Sequence, residues 1–88
     1  MAMVERRREP RIPAGALIQF LPDGSDALVD ARMIDRSEHG FRAAHQCLAL
    51  SAGQEVWFRD GNRVGKARVI WNQLLGHTTE SGFMILSH

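Results

Sequence analysis

Three residues that could bind a polar ligand stand close together in the middle of the chain: Asp35, Ser37 and Gly40. Asp35 and Ser37 are two residues apart, so their side chains leave the same face of an extended backbone. Gly40 has no Cβ and permits a sharp turn or a close approach of the backbone to another group. A carboxylate, a hydroxyl and accessible amides at one corner suit a ligand site. They also suit a turn in which both side chains bond their own backbone, and the motif alone favours the turn.

Arginine is concentrated near the N-terminus, where four of these residues fall within six positions: Arg6, Arg7, Arg8 and Arg11. The guanidinium group binds phosphate through two parallel hydrogen bonds and also binds the O6 and N7 edge of guanine. Prolines at positions 10 and 13 remove backbone donors, so residues 1–13 are predicted to be extended, and mobile when nothing is bound. A solvated tail is the alternative interpretation of such a charge run.

Together, the two stretches resemble the signature of the PilZ domain family, the bacterial receptors for cyclic di-GMP. That signature is Arg-x-x-x-Arg followed by (Asp or Asn)-x-Ser-x-x-Gly. The chain carries it as Arg7-x-x-x-Arg11 and Asp35-x-Ser37-x-x-Gly40. Residues 67–71 and 82–86 also resemble the last two strands of PilZ barrels, so the likeness covers residues 5–86.

The resemblance implies a receptor for cyclic di-GMP, with no cofactor and no enzymatic activity. Arg7 and Arg11 would contact phosphates and guanine edges, and Asp35 would accept from guanine N1–H and N2–H₂, donors that adenine lacks. Ser37 and the backbone near Gly40 would complete the polar contacts. The arginine segment is expected to fold over the ligand and to change a surface that a downstream protein partner reads.

Two positions depart from the commonest family pattern. Position 36 is usually apolar and is Arg36 in this chain, while position 39, often a second glycine, is His39. Arg36 is predicted to lie opposite Asp35, facing solvent or a ligand edge. The candidate secondary contacts are therefore Arg36 and the two remaining arginines of the N-terminal segment, Arg6 and Arg8.

Composition restricts the class of protein. The 88 residues suit one small domain, and a net charge of +1 argues against a general DNA- or RNA-binding face. No apolar run reaches bilayer length, and charges begin at Glu5, where a secretory signal would be apolar. Cys47 is alone and cannot form an internal disulfide. We expect a cytoplasmic protein without membrane insertion.

Alternating hydrophobicity predicts six short strands, at 14–21, 27–35, 41–44, 54–59, 63–73 and 81–86. Residues 60–62 have the composition of a hairpin turn, whereas 45–53 and 74–80 are predicted to be connections. The leucines of 45–53 are expected to plug one end of the core. Trp71 is predicted to point inward, and Trp57 outward, opposite Val56 and Phe58.

Six strands of this length favour an all-β fold, a small closed antiparallel barrel, because closure removes exposed sheet edges. The predicted organisation is a flexible arginine-rich segment at 1–13 and a PilZ-like barrel at 14–88. The sequence leaves no room for a long C-terminal helix after Leu86.

A metal site and a catalytic site are both disfavoured. The candidate metal ligands do not have the spacing of a known zinc site: His39, His45, Cys47 and His77. Cys47 lies in an apolar context without an activating group, and Asp35 and Ser37 lack a base partner.

Two other functions stay open at this stage. A PilZ-like protein-interaction module with little or no nucleotide binding would use Trp57 and the pair Leu74-Leu75 as contacts. A small nucleic-acid-binding barrel would use the arginine segment on phosphates, although the low net charge disfavours it.

Overall fold

Strands, turns and short loops make up all of the chain that the computed structural model describes, which is residues 16–87. The strands are β1 (Leu17–Pro22), β2 (Val29–Arg36), β3 (Gly40–His45), β4 (Glu55–Asp60), β5 (Arg63–Leu75) and β6 (Thr78–Ser87). The N-terminal arginines lie outside the described residues: Arg6, Arg7, Arg8 and Arg11. The division of the chain at residues 13 and 14 therefore stays a prediction. No helix within 16–87 is long and apolar enough to cross a membrane.

The six strands form a closed barrel in the order β1-β2-β3-β6-β5-β4, and every neighbouring pair is antiparallel. Closure pairs both edges of each strand over the body of the barrel. The predicted six-stranded antiparallel barrel is confirmed.

Aromatic rings fill the barrel interior, as the alternating pattern predicts. Phe41 stacks on Phe83 with ring centroids 4.7 Å apart, and Phe20 and Phe58 pack against this pair at tilted angles. Non-aromatic hydrophobic side chains complete the core: Ile18, Ala31, Met33, Ala43, Leu50, Val56, Ala67 and Val69. Trp57 points outward between Val56 and Phe58, as predicted.

Two hairpin turns are each made by a glycine and one following residue. Gly61 and Gly76 have φ values of 63° and 65°, and the residues after them keep negative φ. Positive φ at the first central position alone is the signature of a type II′ turn. The hairpin predicted at 60–62 is confirmed. The connection predicted at 74–80 is wrong, because strands continue on both sides of Gly76 and His77.

The loop between β3 and β4 contains no helix and contributes unequally to the core. Leu50 is buried against the core, as predicted, whereas Leu48 is 78% exposed. The expectation that both leucines plug the barrel is therefore wrong for Leu48.

Trp71 also departs from the prediction, since its side chain lies on the outer face. A register shift between Val69 and Trp71 inserts Ile70 as an extra residue in β5. Such a β-bulge reverses the alternation, so Val69 points inward while Trp71, two residues later, points outward.

Candidate ligand-binding site

The Asp35-x-Ser37-x-x-Gly40 motif forms the corner between β2 and β3. The N–H of Ser37 donates to the carbonyl of Gly40 at 2.8 Å, which closes the hairpin. The N–H of Ile85 donates to the carbonyl of His39 at 2.9 Å and ties the corner to β6. Both interpretations of the motif therefore remain compatible with one geometry, because the hydrogen bonds described above that close the corner join backbone groups.

Gly40 is required by close packing. Its φ is not in the left-handed region. A methyl group at this position would collide with the carbonyl oxygen of Phe83 in β6. The glycine therefore permits β3 and β6 to approach at the corner, which is the second of the two roles expected of it.

A β-bulge places Asp35 on the outer face of the barrel. Met33 pairs with Ala43 on the buried side, and a register shift follows, so that Asp35 pairs with the exposed Arg42. Without the extra residue, Ile34, the alternation of β2 would direct Asp35 into the core.

Asp35 and Arg42 form a bidentate ion pair. Nε of Arg42 donates to Oδ1 at 3.1 Å, and Nη2 donates to Oδ2. The hydrogen bond to Asp35 raises the pKa of Arg42, with smaller contributions from the charges of Asp35 and Glu80. The Arg42 guanidinium is thus held beside the carboxylate, with the Arg42 side chain 45% exposed and the Asp35 side chain 13% exposed.

One cross-strand row joins Asp35 to Trp71. Asp35 pairs with Arg42, Arg42 pairs with Gly82, and Gly82 pairs with Trp71, across β2, β3, β6 and β5. Strands lie about 4.8 Å apart, so the row extends for about 14 Å. Its members share the outer face, because directly opposed residues in a sheet point to the same side.

Along this row lies a hollow of about 260 Å³. Acidic, hydroxyl, cationic and aromatic groups line it together with bare backbone: Asp35, Ser37, Gly40, Phe41, Arg42, Ile70, Trp71, Gly82 and Phe83. The three motif residues predicted from the sequence, Asp35, Ser37 and Gly40, are therefore brought together in one concave site.

Among the lining residues that the sequence interpretation missed, Trp71 and Arg42 contribute an indole ring and a guanidinium group. A methyl group on Gly82 would collide with the indole of Trp71, because the ring packs directly against the backbone of Gly82. A glycine within a predicted strand indicates such a close approach and was the available signal. The bulge that turns Trp71 outward has no comparable sequence mark.

Arg36 takes a different position from Asp35. Its Nη1 lies 2.6 Å from Oδ2 of Asp60 at the end of β4, and Arg36 does not line the hollow. In register it opposes Phe41, whose ring is in the core, so it lies on the inner side of β2 at the barrel end. A ligand contact by Arg36 stays a prediction.

A larger hollow, of about 730 Å³, lies at the other end of the β2–β3 hairpin, near Val29 and His45. It contains none of the motif residues. The smaller hollow is therefore the candidate ligand site, because it is lined by the motif residues Asp35, Ser37 and Gly40.

His45 is buried and belongs to a chain of hydrogen bonds. Its Nδ1 accepts from the N–H of Cys47 at 3.0 Å, so its Nε2 carries the proton and donates to Oγ of Ser81 at 2.7 Å. Ser81 donates to Oδ1 of Asn72, whose Nδ2 donates to the carbonyl of Leu50 at 2.9 Å. Residues 16–87 contain no group of three or more potential metal ligands.

Comparisons with known proteins agree with the geometry at the level of the fold. No family model and no curated protein matches the sequence. Among solved structures, the chain is similar to the PilZ domain of YcgR from Escherichia coli with cyclic di-GMP. The identity is 19%, the TM-score is 0.65, and the match covers 93% of this chain and 79% of that one.

A second similar structure is YcgR from Escherichia coli in complex with cyclic di-GMP. The identity is 24%, the TM-score is 0.66, and 94% of this chain matches 39% of that chain, so the likeness spans well under half of YcgR. These matches define the class of architecture, a small closed antiparallel barrel. More particularly, the barrel has the fold of a PilZ domain, as the sequence resemblance implied.

Proposed function

We propose that this chain is a receptor for cyclic di-GMP and that a guanine of the ligand occupies the hollow between Asp35 and Trp71. The observation that carries the proposal is the cross-strand row Asp35–Arg42–Gly82–Trp71, which ends in a carboxylate at one side and an indole at the other. Both similar structures contain cyclic di-GMP, which supports the same ligand class.

Guanine recognition follows from the groups that line the hollow. In this proposal the two oxygens of the Asp35 carboxylate, which each accept from Arg42, also accept from the adjacent N1–H and N2–H₂ donors of guanine. The Ser37 hydroxyl offers a further donor or acceptor beside it. The indole of Trp71 provides a flat face, and base–aromatic stacking contributes roughly 1–3 kcal/mol per base.

In this proposal, arginine side chains bind the phosphates of the ligand. Arg7 and Arg11 hold the motif positions and would reach the phosphodiesters, with Arg6, Arg8 and Arg36 as the candidate secondary contacts. Arg42 lies at the site already, and its ion pair with Asp35 leaves its side chain 45% exposed. A dianionic ligand would meet this guanidinium first, because it is the cation that lines the hollow.

The signal would be transmitted by a conformational change and not by a chemical reaction. In this proposal the arginine segment closes over the bound dinucleotide and orders a new surface, which a downstream protein recognises. The position of the hollow supports this view, since a ligand there stays accessible from outside the barrel.

Calorimetric titration tests the proposal. We expect cyclic di-GMP to release heat on binding and cyclic di-AMP, which keeps both phosphates but lacks the guanine donors, to bind at least about ten-fold more weakly. The variants Arg7→Ala, Arg11→Ala and Asp35→Ala should each lose about ten-fold or more, because each removes a charge-assisted contact. No heat and no change in melting temperature at high micromolar cyclic di-GMP would refute it.

A protein-interaction role without nucleotide binding is the second candidate, and one observation favours it. Trp57 is 48% exposed and borders a third hollow, of about 390 Å³, together with Leu21, Leu28 and Val64. Lys66 Nζ lies 4.6 Å from the Trp57 ring centroid. A pull-down that recovers the same partner with and without cyclic di-GMP, and loses it in Trp57→Ala, would support this role.

A further inference from the structure

The end of β5 projects beyond the barrel wall. Its pairing with β4 stops at Arg68, and the last backbone bonds on that side join Val69 to Gln54 and Gly53. From there to Leu75, β5 is paired with β6 alone among residues 16–87. Every residue from 70 to 77 is exposed.

The free edge of this segment presents unpaired backbone groups. In a two-residue hairpin, Leu75 and Thr78 exchange hydrogen bonds, and bonded and non-bonded pairs then alternate along the ladder. The pairs containing Leu74 and Asn72 are therefore the non-bonded ones. The N–H and C=O of both residues point away from β6, toward the side on which this part of β5 has no strand partner within residues 16–87.

This edge lacks the features that normally prevent strand association. Residues 69–79 contain no Asp, Glu, Lys, Arg or Pro. Exposed edges are usually protected by charge, proline or shortness, and an uncharged run of β-forming residues is prone to pair with another strand. Leu74 is 64% exposed, and Ile70 and Leu75 are exposed as well. An apolar edge of this kind is expected to be covered.

We propose that a second copy of this chain covers it, through antiparallel pairing of the two β5 edges about a two-fold axis at Gln73. Asn72 of each copy then exchanges hydrogen bonds with Leu74 of the other, so every outward backbone group finds a partner. Because residues 69–79 carry no Asp, Glu, Lys or Arg, no like charges of these residues oppose each other when the edges of two copies pair across the axis. The same edge is used on both copies, so assembly closes at two.

Sedimentation equilibrium of the full chain tests this inference without any ligand. The expected particle has twice the 9.9 kDa mass of one chain. Leu74→Lys should raise the dimer dissociation constant about ten-fold, because it loses apolar contact and brings two ammonium groups close to the axis. Leu74→Pro should weaken the dimer as well, since it removes an outward N–H that β6 does not use.

Leu17→Lys is the matched control, because Leu17 is 71% exposed on β1 and lies away from the β5 edge. It should leave the dissociation constant unchanged, and circular dichroism should show the same fold for all three variants. A chain that stays monomeric at every concentration would overturn the proposal, and so would a dimer that Leu74→Lys and Leu17→Lys weaken equally.

Discussion

At the scale of single residues, Trp71 is the group on which ligand affinity should depend most visibly. Trp71→Ala is expected to weaken cyclic di-GMP binding about ten-fold or more, because base–aromatic stacking is worth roughly 1–3 kcal/mol. Calorimetry measures the loss. Trp57→Ala is the matched control, since Trp57 is also exposed but lies on β4, outside the hollow. Equal effects of the two substitutions would exclude Trp71 as the stacking surface.

Gly40 should be sensitive to the addition of one methyl group. Gly40→Ala places a Cβ against the carbonyl oxygen of Phe83, and backbone atoms of two paired strands cannot move apart without breaking hydrogen bonds. We expect the free energy of unfolding to fall by about 1–3 kcal/mol, as for other overpacked positions. Urea denaturation measures it. An unchanged midpoint would show that the corner has room for the methyl group.

At the scale of secondary-structure elements, two β-bulges create the site. Ile34 is the extra residue in β2 and Ile70 is the extra residue in β5. Each shift turns the residue after it to the outer face, which gives the site Asp35 from one strand and Trp71 from the other. Bulges are common beside binding sites because they redirect a side chain without changing the fold.

These bulges also mark the limit of prediction from the sequence. Strand positions follow from local alternation, so the six strands and the outward Trp57 were predictable. A register shift depends on which strand lies alongside, and neither isoleucine differs locally from an ordinary strand residue. The motif predicts Asp35 as a site residue, whereas no motif contains Trp71, and the local alternation wrongly predicts that Trp71 points inward.

His45 links three elements and should make stability depend on pH. Burial lowers the pKa of His45, while the unfolded chain titrates near the ordinary value of about 6.5. Below that pH the unfolded state binds more protons than the folded state, so stability is fully present above about pH 6.5 and declines as the pH falls toward the lowered folded-state pKa. Protonation would also put a hydrogen on Nδ1, against the N–H of Cys47.

Thermal denaturation across this range checks the prediction. The melting temperature should decrease below about pH 6.5 in the parent chain, and the decrease should be smaller in His45→Gln, which cannot titrate. His77→Gln is the control for the loss of an imidazole at another position, since His77 is exposed in the β5–β6 turn. Identical profiles for the parent and His45→Gln would contradict the assignment.

At the scale of the whole molecule, the barrel separates stability from recognition. Its interior is filled by phenylalanine rings and small side chains, and the proposed ligand contacts lie on the outer face of β2, β3, β5 and β6. Substitutions in the row Asp35–Arg42–Gly82–Trp71 can therefore change binding with little change in the core. The sequence motif indicated this arrangement only in part, because the row is assembled from strands that are distant in the chain.

The most direct test of the central claim is a titration of the ¹⁵N-labelled chain with cyclic di-GMP, followed by the indole N–H signals of the two tryptophans. The account predicts that the Trp71 signal shifts with saturation as a base stacks on its ring, while the Trp57 signal stays in place as an internal reference. A saturable shift of Trp57 with an unmoved Trp71, or no shift of either signal, would contradict it.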